Sequence, residues 1–567
     1  MNKVKFLLPF LLLCAGMIHA QNFQWAKRLS GSGSFDVNVK KVAATSSDGL
    51  FVCGSFTGTV DFEPGSPVVN KTANGTDGFV AKYDEGGNLL WVFTTDSAGT
   101  EEISCITSTA TRVTAVEKKG TNSFRVRQLN SATGAPTVQS SYFISYNATV
   151  TPEAVTINAV NSSICLVGSL DGWLLVGTYT YGSAGLSDMF YMNLGVNANG
   201  IGVNTFVTYG ASGNDFGHDI VSLPSGLMYI AGSLSGTVSL LDAQNVAFSV
   251  TSAGGTDAVL MAIDISGDIP KADNLMRIGS TGDDEFLSVT AGTNSTNELA
   301  VGGYFTGTVD FNAKSPVNSL ISAGGKDGCV AKYTYTNQAG GSAFDYGWAN
   351  KLGGTADDRA IAVSQFATTG NVYFSAALGS STGTAVQLGA YTSTGTNATF
   401  GGLFLPANQT TVNVPRSIRA LSTGEVYTTG IFNASTDFDP SNGTFTIAPV
   451  SGGNNGFIHK MSNCTPAAAP VISASRDTVC TGFNDTLRVT GALGGNNKWV
   501  WYSGTCGSTF VDTGAVIVVA PTANTTYYVR GEGGCAANGT CSAAKTIVVR
   551  ALPPAPVVTA TGPATVC

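Results

Sequence analysis

The chain has 567 residues, 70 of them glycine, and a formal net charge of -8, so it is long enough for several domains or one large ring of repeats. Charged residues make up only 12% of it, and runs of Thr, Ser, Val and Asn between the glycines favour strands and turns over helices. The acidic balance argues against nucleic acid or an anionic membrane surface as a partner.

The N-terminus predicts export. Lysines precede an apolar run over residues 6–13, which is too short to span a bilayer and is typical of a signal peptide covering residues 1–20. Removing this peptide takes away two lysines, changes the net charge from -8 to -10 and leaves Gln21 as the first mature residue. Cys14 leaves a lipoprotein alternative open. No later stretch reaches about 20 continuous apolar residues, so we expect a secreted or cell-surface protein without a transmembrane segment.

A repeated string of short strands covers residues 22–463. Its clearest copy spans residues 49–62 and 77–83, and the same string returns at residues 299–311 and 327–333. Apolar pieces bounded by Gly, Asn and Asp are typical of short antiparallel strands, and a period of four strands predicts a β-propeller blade. Seven copies of the Asp-Gly-Phe-Val-Ala-Lys-Tyr strand, some degenerate, have centres near Val80, Val126, Phe190, Val259, Val330, Leu403 and Ile458. The predicted fold is therefore an all-β, seven-bladed β-propeller.

The two ends of this region are expected to pair. The chain begins with Trp25-Ala-Lys-Arg-Leu29, which matches Trp348-Ala-Asn-Lys-Leu352 but has no blade before it. The last blade ends at residues 456–461 without such a strand. We therefore expect the N-terminal strand to complete the last blade, which removes exposed sheet edges.

The motif order Trp-Ala-x-x-Leu, Gly-x-Phe-x-Gly and Asp-Gly-Phe-Val-Ala-Lys-Tyr is joined by Gly-Asn-Val-Tyr at residues 370–373 and Gly-Glu-Val-Tyr at residues 424–427. This order resembles the bacterial SBBP-type β-propeller repeat, over about residues 22 to 463. The resemblance implies a secreted propeller of the kind found on the surface of gliding and biofilm-forming bacteria. It implies no catalytic residues.

A second strand pattern follows a linker at residues 464–470. It predicts a β-sandwich over residues 471–551, with Trp499 or Trp501 in its core. The strand at 525–530 resembles bacterial Ig-like modules, and a different small β-domain stays open as the alternative. The predicted strands are 486–490, 499–502, 515–519, 525–530 and 545–549.

Residues 552–567 repeat the opening of this sandwich and end at Cys567, 87 residues after Cys480. We therefore expect a linker and the start of a second Ig-like copy, in a chain that is a fragment of a longer protein. The resemblance implies further Ig-like modules and a C-terminal sorting domain.

Cysteines in an exported chain permit disulfide bonds. Four of the eleven cluster near the C-terminus and allow three pairings, among which the sequence does not choose. We expect at least one bridge among Cys480, Cys506, Cys535 and Cys541. Four others lie in apolar strands and are expected to be small buried core residues: Cys53, Cys105, Cys165 and Cys329.

Residues that carry catalytic chemistry are scarce. The mature chain has only His218 and His459, and it lacks a CxxC pair, a Gly-x-Ser-x-Gly elbow and a P-loop. No catalytic residue and no cofactor is predicted apart from structural calcium. His218 beside Asp215 and Asp219 is a candidate metal site, with a solvated turn as the alternative.

A calcium loop is the second metal hypothesis. Asp437, Asp439 and Ser441 offer oxygen ligands at alternate positions, as calcium loops do. Related stretches at Asp61 and Asp310 favour a repeated turn without metal as the alternative.

A recurrent carboxylate precedes the inner strand of five blades. Alignment puts Asp215, Asp284, Asp358 and Glu101 in one column, with Asp36 displaced by one place. Equivalent loops of a propeller surround one channel, so these carboxylates could bind Ca²⁺ or a basic ligand together. The alternative is that each caps its own turn by accepting backbone N–H bonds.

These patterns predict a non-catalytic interaction or adhesion protein that presents a propeller face on Ig-like spacer modules to an extracellular protein or glycan. The competing hypothesis is a polysaccharide-active enzyme, or a carbohydrate-binding protein that uses acidic propeller loops, because fold alone does not settle function. Exposed aromatics on a flat face favour binding. A carboxylate pair with one raised pKa in a deep cleft favours the enzyme.

Overall fold

The chain separates into two compact units, residues 1–463 and 464–567. The described residues form strands and no helix, and none of them belongs to a helix that could cross a membrane. The predicted signal peptide, Cys14, Ser441, Cys535 and Cys567 lie outside the described residues. The computed structural model describes residues 22–45, 49–63, 65, 67–138, 140–197, 200–241, 245–265, 270–292, 297–336, 343–366, 369–380, 383–398, 403–404, 413–440, 444–462, 467–496, 498–533, 538–552, 554 and 556–557.

Four-stranded antiparallel groups repeat seven times in the described part of the first unit. Within a group we number the strands first to fourth, and two long strands, β1 and β8, each serve two neighbouring groups. Groups one to three contain β1 (Asn22–Thr45), β2 (Gly49–Asp61), β3 (Asn70–Tyr83), β4 (Leu89–Thr94), β5 (Gly99–Ser108), β6 (Arg112–Lys119), β7 (Ser123–Asn130), β8 (Ser141–Ile157), β9 (Ile164–Val176), β10 (Tyr179–Asn197) and β11 (Gly200–Tyr209).

Groups four to seven follow the same plan, with short hairpins between the second and third strands of groups four, five and seven. Their strands are β12 (Phe216–Ser222), β13 (Met228–Leu234), β14 (Thr237–Leu241), β15 (Ala247–Thr251), β16 (Asp257–Asp264), β17 (Lys271–Ile278), β18 (Glu285–Ala291), β19 (Glu298–Phe305), β20 (Thr308–Asp310), β21 (Ser319–Ile321), β22 (Asp327–Thr336), β23 (Ala343–Leu352), β24 (Asp358–Gln365), β25 (Val372–Ser380), β26 (Gly383–Tyr391), β27 (Leu403–Phe404), β28 (Val414–Ala420), β29 (Glu425–Phe432), β30 (Thr436–Asp437), β31 (Thr446–Ile447) and β32 (Asn455–Ser462).

The ends of the first unit pair with each other. β1 runs antiparallel to β32, with Leu29 opposite Gly456 and Lys27 opposite Ile458. From Ser30 onward the same strand pairs with β2. β1 is thus the fourth strand of group seven and the first strand of group one, which confirms the predicted pairing of the N-terminal strand.

The first strands of the seven groups also contact one another in a cyclic order. β1 contacts β5, and the contacts continue through β8, β12, β18, β24 and β28, which contacts β1 in turn. The apolar cores lie between neighbouring groups: Tyr229 and Leu260 of group four pack with Phe286 and Val301 of group five. Second strands such as β13 and β29 are buried along their whole length, as expected for strands covered on both faces.

One predicted strand position is wrong. The sequence predicts Leu403 at the centre of a degenerate copy of the Asp-Gly-Phe-Val-Ala-Lys-Tyr strand, which is the third strand of the other six groups. In group six the third strand is β26, and Leu403 follows it in β27, the fourth. β26 has buried Val386, Leu388 and Ala390 at alternate positions, so it satisfies the packing of a third strand without the repeated motif.

The second unit consists of two facing sheets. Its strands are β33 (Val471–Ala474), β34 (Thr478–Cys480), β35 (Asp485–Thr490), β36 (Lys498–Ser503), β37 (Thr509–Thr513), β38 (Val516–Val519), β39 (Thr525–Glu532) and β40 (Lys545–Arg550). One sheet has the order β33-β35-β38 and the other β34-β40-β39-β36-β37. Both Trp499 and Trp501 lie in the shared core, and Trp501 Nε1 donates to the Gly514 carbonyl at 2.8 Å.

Cysteines behave differently in the two units. Cys506 and Cys541 form a disulfide in the second unit, which confirms the expectation of at least one bridge, and Cys480 is unbridged and partly buried. In the first unit the four cysteines expected in the core are free and buried. Burial raises the pKa of Cys105 to about 12, so this thiol stays protonated and unreactive at neutral pH.

Candidate functional site

Each first strand carries one β-bulge at the same register. An extra residue stands between two residues that pair with consecutive positions of the second strand. A bulge interrupts the alternation of side chains and often re-aims a side chain near a functional site. The extra residues are Lys40, Ser104, Glu153, His218, Leu287, Ile361 and Arg416.

Glycines of the second strands explain why the first strands approach so closely. In five groups the second strand has a glycine opposite the bulge. A Cβ added to it would lie 1.9–2.2 Å from the carbonyl oxygen of the residue two positions before the extra residue. Only glycine fits such a contact. The glycine inside the repeated second-strand motif is therefore a packing requirement of the sheet. These glycines are Gly54, Gly168, Gly232, Gly303 and Gly430.

An ion pair joins two groups that are not neighbours. Lys41 Nζ of group one lies 4.0 Å from Asp219 Oδ1 of group four, so the first strands of these groups face a common interior space. Asp219 Oδ2 also accepts bonds from the Ser288 hydroxyl at 2.9 Å and the Val289 N–H at 3.0 Å. Burial by itself lowers the pKa of Lys41, but the surrounding negative charge, led by Asp219, outweighs it and the pKa is raised.

Other interior charges are paired in the same way. His218 Nε2 lies 3.1 Å from Glu285 Oε2, and Lys40 Nζ lies 3.2 Å from Glu102 Oε1. Burial raises the pKa of Glu285, but the contact with His218 more than offsets this, so its pKa is lowered. His218 thus meets Glu285 rather than Asp215 or Asp219. The part of the chain that the structure describes has no group of three or more His, Cys, Asp and Glu side chains that could hold a metal ion.

The recurrent carboxylates at the start of the first strands are buried and bonded to backbone. Asp215 accepts the N–H groups of Ala211 and Ser235, both at 2.9 Å. Asp284 accepts Ser280 at 2.6 Å and Thr306 at 2.7 Å, and Asp358 accepts Gly354 at 2.7 Å and Gly379 at 2.8 Å. Burial raises the pKa of all three carboxyl groups. This is the turn-capping arrangement given as the alternative, and ligand binding by them stays a prediction.

The two remaining carboxylates of the aligned column, Glu101 and Asp36, have different partners. Glu101 is buried, accepts a hydrogen bond from the Ser97 hydroxyl and lies 3.1 Å from Lys119 Nζ. Asp36 accepts the Asn454 N–H at 3.1 Å. Asp358 also lines an open pocket of about 640 Å³ together with Lys351 and Tyr391.

A second set of buried carboxylates lies in the third strands, at the first residues of β16 and β22 and within β10. Asp257 meets Arg277 at 2.5 Å and Asp327 meets Lys351 at 3.1 Å. Asp188 has no basic partner among the described ion pairs, and its Oδ1 is buried without a hydrogen bond. Burial, and then the charge of Asp215, raise the pKa of Asp188. Asp188, like Asp77 of β3, whose Oδ1 is also buried without a hydrogen bond and whose pKa is also raised by burial, is therefore an acid without a basic partner among the described ion pairs.

The expected calcium loop forms a turn that recurs in other groups. Asp437 Oδ1 accepts the N–H groups of Asp439 at 3.0 Å and Phe445 at 2.7 Å. Asp61 and Asp310 each make the same pair of bonds, to the residues two and eight positions later. This recurrence matches the repeated-turn alternative. Calcium binding stays a prediction, since Ser441 lies outside the described residues.

Exposed apolar side chains concentrate on the hairpins that join second and third strands. Of thirteen exposed large apolar side chains described in the first unit, nine lie there. We call these nine the apolar rim. Sequence reasoning missed the rim, although β14 offered a signal: Thr, Val, Ser and Leu alternate over residues 237–240, and this period places Leu241 on the open face. The rim comprises Val68, Trp173, Tyr179, Leu186, Leu241, Val246, Val317, Ile321 and Phe445.

Comparison with solved structures gives remote likenesses. A protein of unknown function from Dyadobacter fermentans is 9% identical, with a TM-score of 0.38, over 78% of this chain and 99% of that one. A fungal alcohol oxidase of the AA5 family in complex with copper is 12% identical, with a TM-score of 0.38, over 93% and 99%. The polysaccharide lyase Uly1 is 11% identical, with a TM-score of 0.28, over 78% and 100%. Likenesses of this size carry no argument about function.

Comparison with protein families concerns the second unit. No curated protein matches the chain. A family model described as an Ig-like domain, CHU_C associated, matches residues 466–550, and these residues hold the two facing sheets and the disulfide. A disulfide is typical of extracellular proteins. The chain is all-β and carries a C-terminal Ig-like domain.

Proposed function

We propose that the first unit is a seven-bladed β-propeller and that the chain is a secreted or cell-surface, non-catalytic interaction protein. Three observations support the propeller: the seven four-stranded groups, the cyclic contacts of their first strands, and the sharing of β1 between the first and last groups. A ring of this kind leaves few exposed sheet edges. The Ig-like domain acts as a spacer.

The apolar rim is the observation that carries the binding function. In a propeller, all connections between second and third strands lie on one face, so the rim residues of groups one, three, four, five and seven share that face. Trp173 is 58% exposed and Tyr179 is 70% exposed. Association removes such surface from water, and buried aromatic side chains commonly dominate binding energy. The partner is an extracellular protein or glycan.

The interior charges support a non-catalytic role. A general acid or base must reach the reacting group with a proton to give or accept. The aligned carboxyl groups of Asp215, Asp284 and Asp358 have raised pKa values, but they are buried and bonded to backbone N–H groups. Glu285, whose pKa is lowered, is ionised at neutral pH and bonded to His218.

The test compares two surface variants. The purified chain is screened on a glycan array and against extracellular matrix proteins, and each ligand found is tested against a quadruple rim variant, Trp173→Ser, Tyr179→Ser, Val317→Ser and Ile321→Ser. We expect at least one of these ligands to lose at least tenfold in affinity. The control, Val471→Ser with Val518→Ser, changes equally exposed apolar residues of the second unit and should bind as the wild type. Equal binding of every ligand by the rim variant, or release of products from a polysaccharide, would overturn the proposal.

A further inference from the structure

An open pocket of about 630 Å³ lies between groups two and three. Its walls come from the first-to-second connections of both groups with the adjoining strand ends, residues 107–112 and 157–163, from Thr114 and Gln128 of β6 and β7, and from the end of the third strand and the fourth strand of group three. These connections lie at the opposite end of the strands from the apolar rim, because successive strands are antiparallel. The volume falls within the range of small-molecule sites.

The pocket is lined by neutral hydrogen-bonding groups. Threonine and serine hydroxyls can donate and accept, as can the amides of Asn161 and Asn204. Ile157 and Val196 add apolar patches beside them. A wall that combines hydroxyl, amide and apolar groups complements a sugar ring, which presents hydroxyl groups at its edge and C–H groups on its faces. The hydroxyls belong to Thr107, Thr109, Thr111, Thr114, Ser162 and Ser163.

Arg112 is the one charged side chain among the described residues that line the pocket. It makes no ion pair in the described part of the chain, and its Nη1 donates to Gln128 Oε1 at 3.2 Å. Gln128 is buried and in turn donates to Thr114 Oγ1 at 3.4 Å. The bond to this fixed side chain orients the Arg112 guanidinium. A guanidinium has five N–H donors in a planar fork that matches a carboxylate. The chain as a whole has a net charge of -8, but this pocket holds a cation and no carboxylate, so it locally favours an anion.

The wall contributed by group three is held in place by its own bonds. Asn158 Oδ1 accepts the N–H groups of Val160 at 2.7 Å and Asn161 at 3.2 Å. Ser162 has a φ of 59°, which is uncommon for a residue other than glycine. Asn193 Nδ2 donates to the Ser163 hydroxyl at 2.7 Å. A wall that is already ordered loses little freedom when a ligand binds.

We propose that this pocket binds a carboxylate-bearing sugar unit, such as a uronic acid residue of a polysaccharide. The carboxylate pairs with the Arg112 guanidinium, and the ring hydroxyls bond to the threonine, serine and asparagine side chains. This deepens the proposed interaction function by naming one ligand class, but it uses a surface separate from the rim. If the rim binds no ligand, the proposal for this pocket is unaffected.

Calorimetric titration with trigalacturonate tests the proposal, with the neutral trisaccharide of galactose and inorganic sulfate as the other ligands. We expect trigalacturonate to bind and the neutral sugar to bind at least tenfold more weakly. Arg112→Gln and, separately, Thr111→Val should each weaken trigalacturonate binding, the first by at least tenfold. Arg476→Gln, which removes an exposed arginine of the second unit, should have no effect.

Several results would contradict the proposal. Equal affinity for the neutral sugar, or unchanged binding by Arg112→Gln, would overturn the proposal. Sulfate that binds as tightly as trigalacturonate would reduce the site to a general anion site and also overturn it. The quadruple rim variant should bind trigalacturonate like the wild type, and a loss there would place the sugar on the rim instead.

Discussion

The two units keep their sheets together by different means. In the first unit the first and last strand groups are joined through β1, which pairs with both β32 and β2. The described cysteines of this unit are free. In the second unit two small sheets share one core and the Cys506–Cys541 disulfide. A small domain buries a smaller fraction of its surface and gains more from a covalent link. The larger first unit joins its first and last groups by backbone pairing instead.

Deletion of residues 21–30 should have the largest effect, because it removes the fourth strand of group seven and exposes the edge of β32. We expect aggregation and a loss of cooperative thermal unfolding of the first unit, measured by light scattering and calorimetry. A synthetic peptide of residues 21–30 added in trans should restore solubility. Unchanged solubility and melting temperature after the deletion would refute closure by a shared strand.

Removal of the disulfide should destabilise the second unit only. The bridge closes a loop of 35 residues, and replacing Cys506 and Cys541 by serine should cost about 2–5 kcal/mol of unfolding free energy. Chemical denaturation of the whole chain measures this as a shift of one transition. Cys480→Ser, which removes an unbridged cysteine of the same unit, is the control and should shift it little. A shift of the first unit's transition would contradict the contrast between the units.

Gly303→Ala should disturb the junction between the first and second strands of group five. The added Cβ would lie 1.9 Å from the Glu285 carbonyl oxygen, and such overpacking costs roughly 1–3 kcal/mol. Gly354→Ala, where nothing lies within 4 Å, is the matched control and should stay within about 0.5 kcal/mol of the wild type. If both variants have the same free energy of unfolding, the close contact does not explain why glycine occupies position 303.

Asp188→Asn should stabilise the first unit at pH 7, by roughly 1 kcal/mol, because it removes a buried charge without a basic partner. The pKa of Asp188 is raised in the folded state, so its contribution to stability is present below the unfolded pKa and is lost as pH rises through the folded pKa. The gain from Asn should therefore vanish near pH 3.

The control for that variant is Asp327→Asn, which breaks the ion pair with Lys351 and should not stabilise the protein. Melting temperatures from pH 3 to pH 8 give both curves. A stabilised Asp327→Asn, or a gain from Asp188→Asn that persists at pH 3, would show that the missing basic partner is not the cause.

The sequence by itself determined the strands and the pairing of the ends. Apolar runs between Gly, Asn and Asp fix local strand formation, and the repeated Trp-Ala-x-x-Leu motif at residues 25–29 identified a strand without a group of its own. Even the weak copy near Val126 forms a third strand, β7. The exception is group six, where β26 packs as a third strand without the motif.

Only the tertiary structure decided which polar side chains meet. Lys41 and Asp219 lie on strands of different groups, and no local pattern relates them because their contact depends on how the first strands are arranged. The carboxylates of Asp215, Asp284 and Asp358 formed a column in the alignment, but whether they bind a ligand or cap a turn depends on backbone N–H groups supplied partly by the end of the second strand or the residues just after it. Likewise, the pocket around Arg112 exists because two neighbouring groups bring their connections together, which the residues of either group alone do not specify.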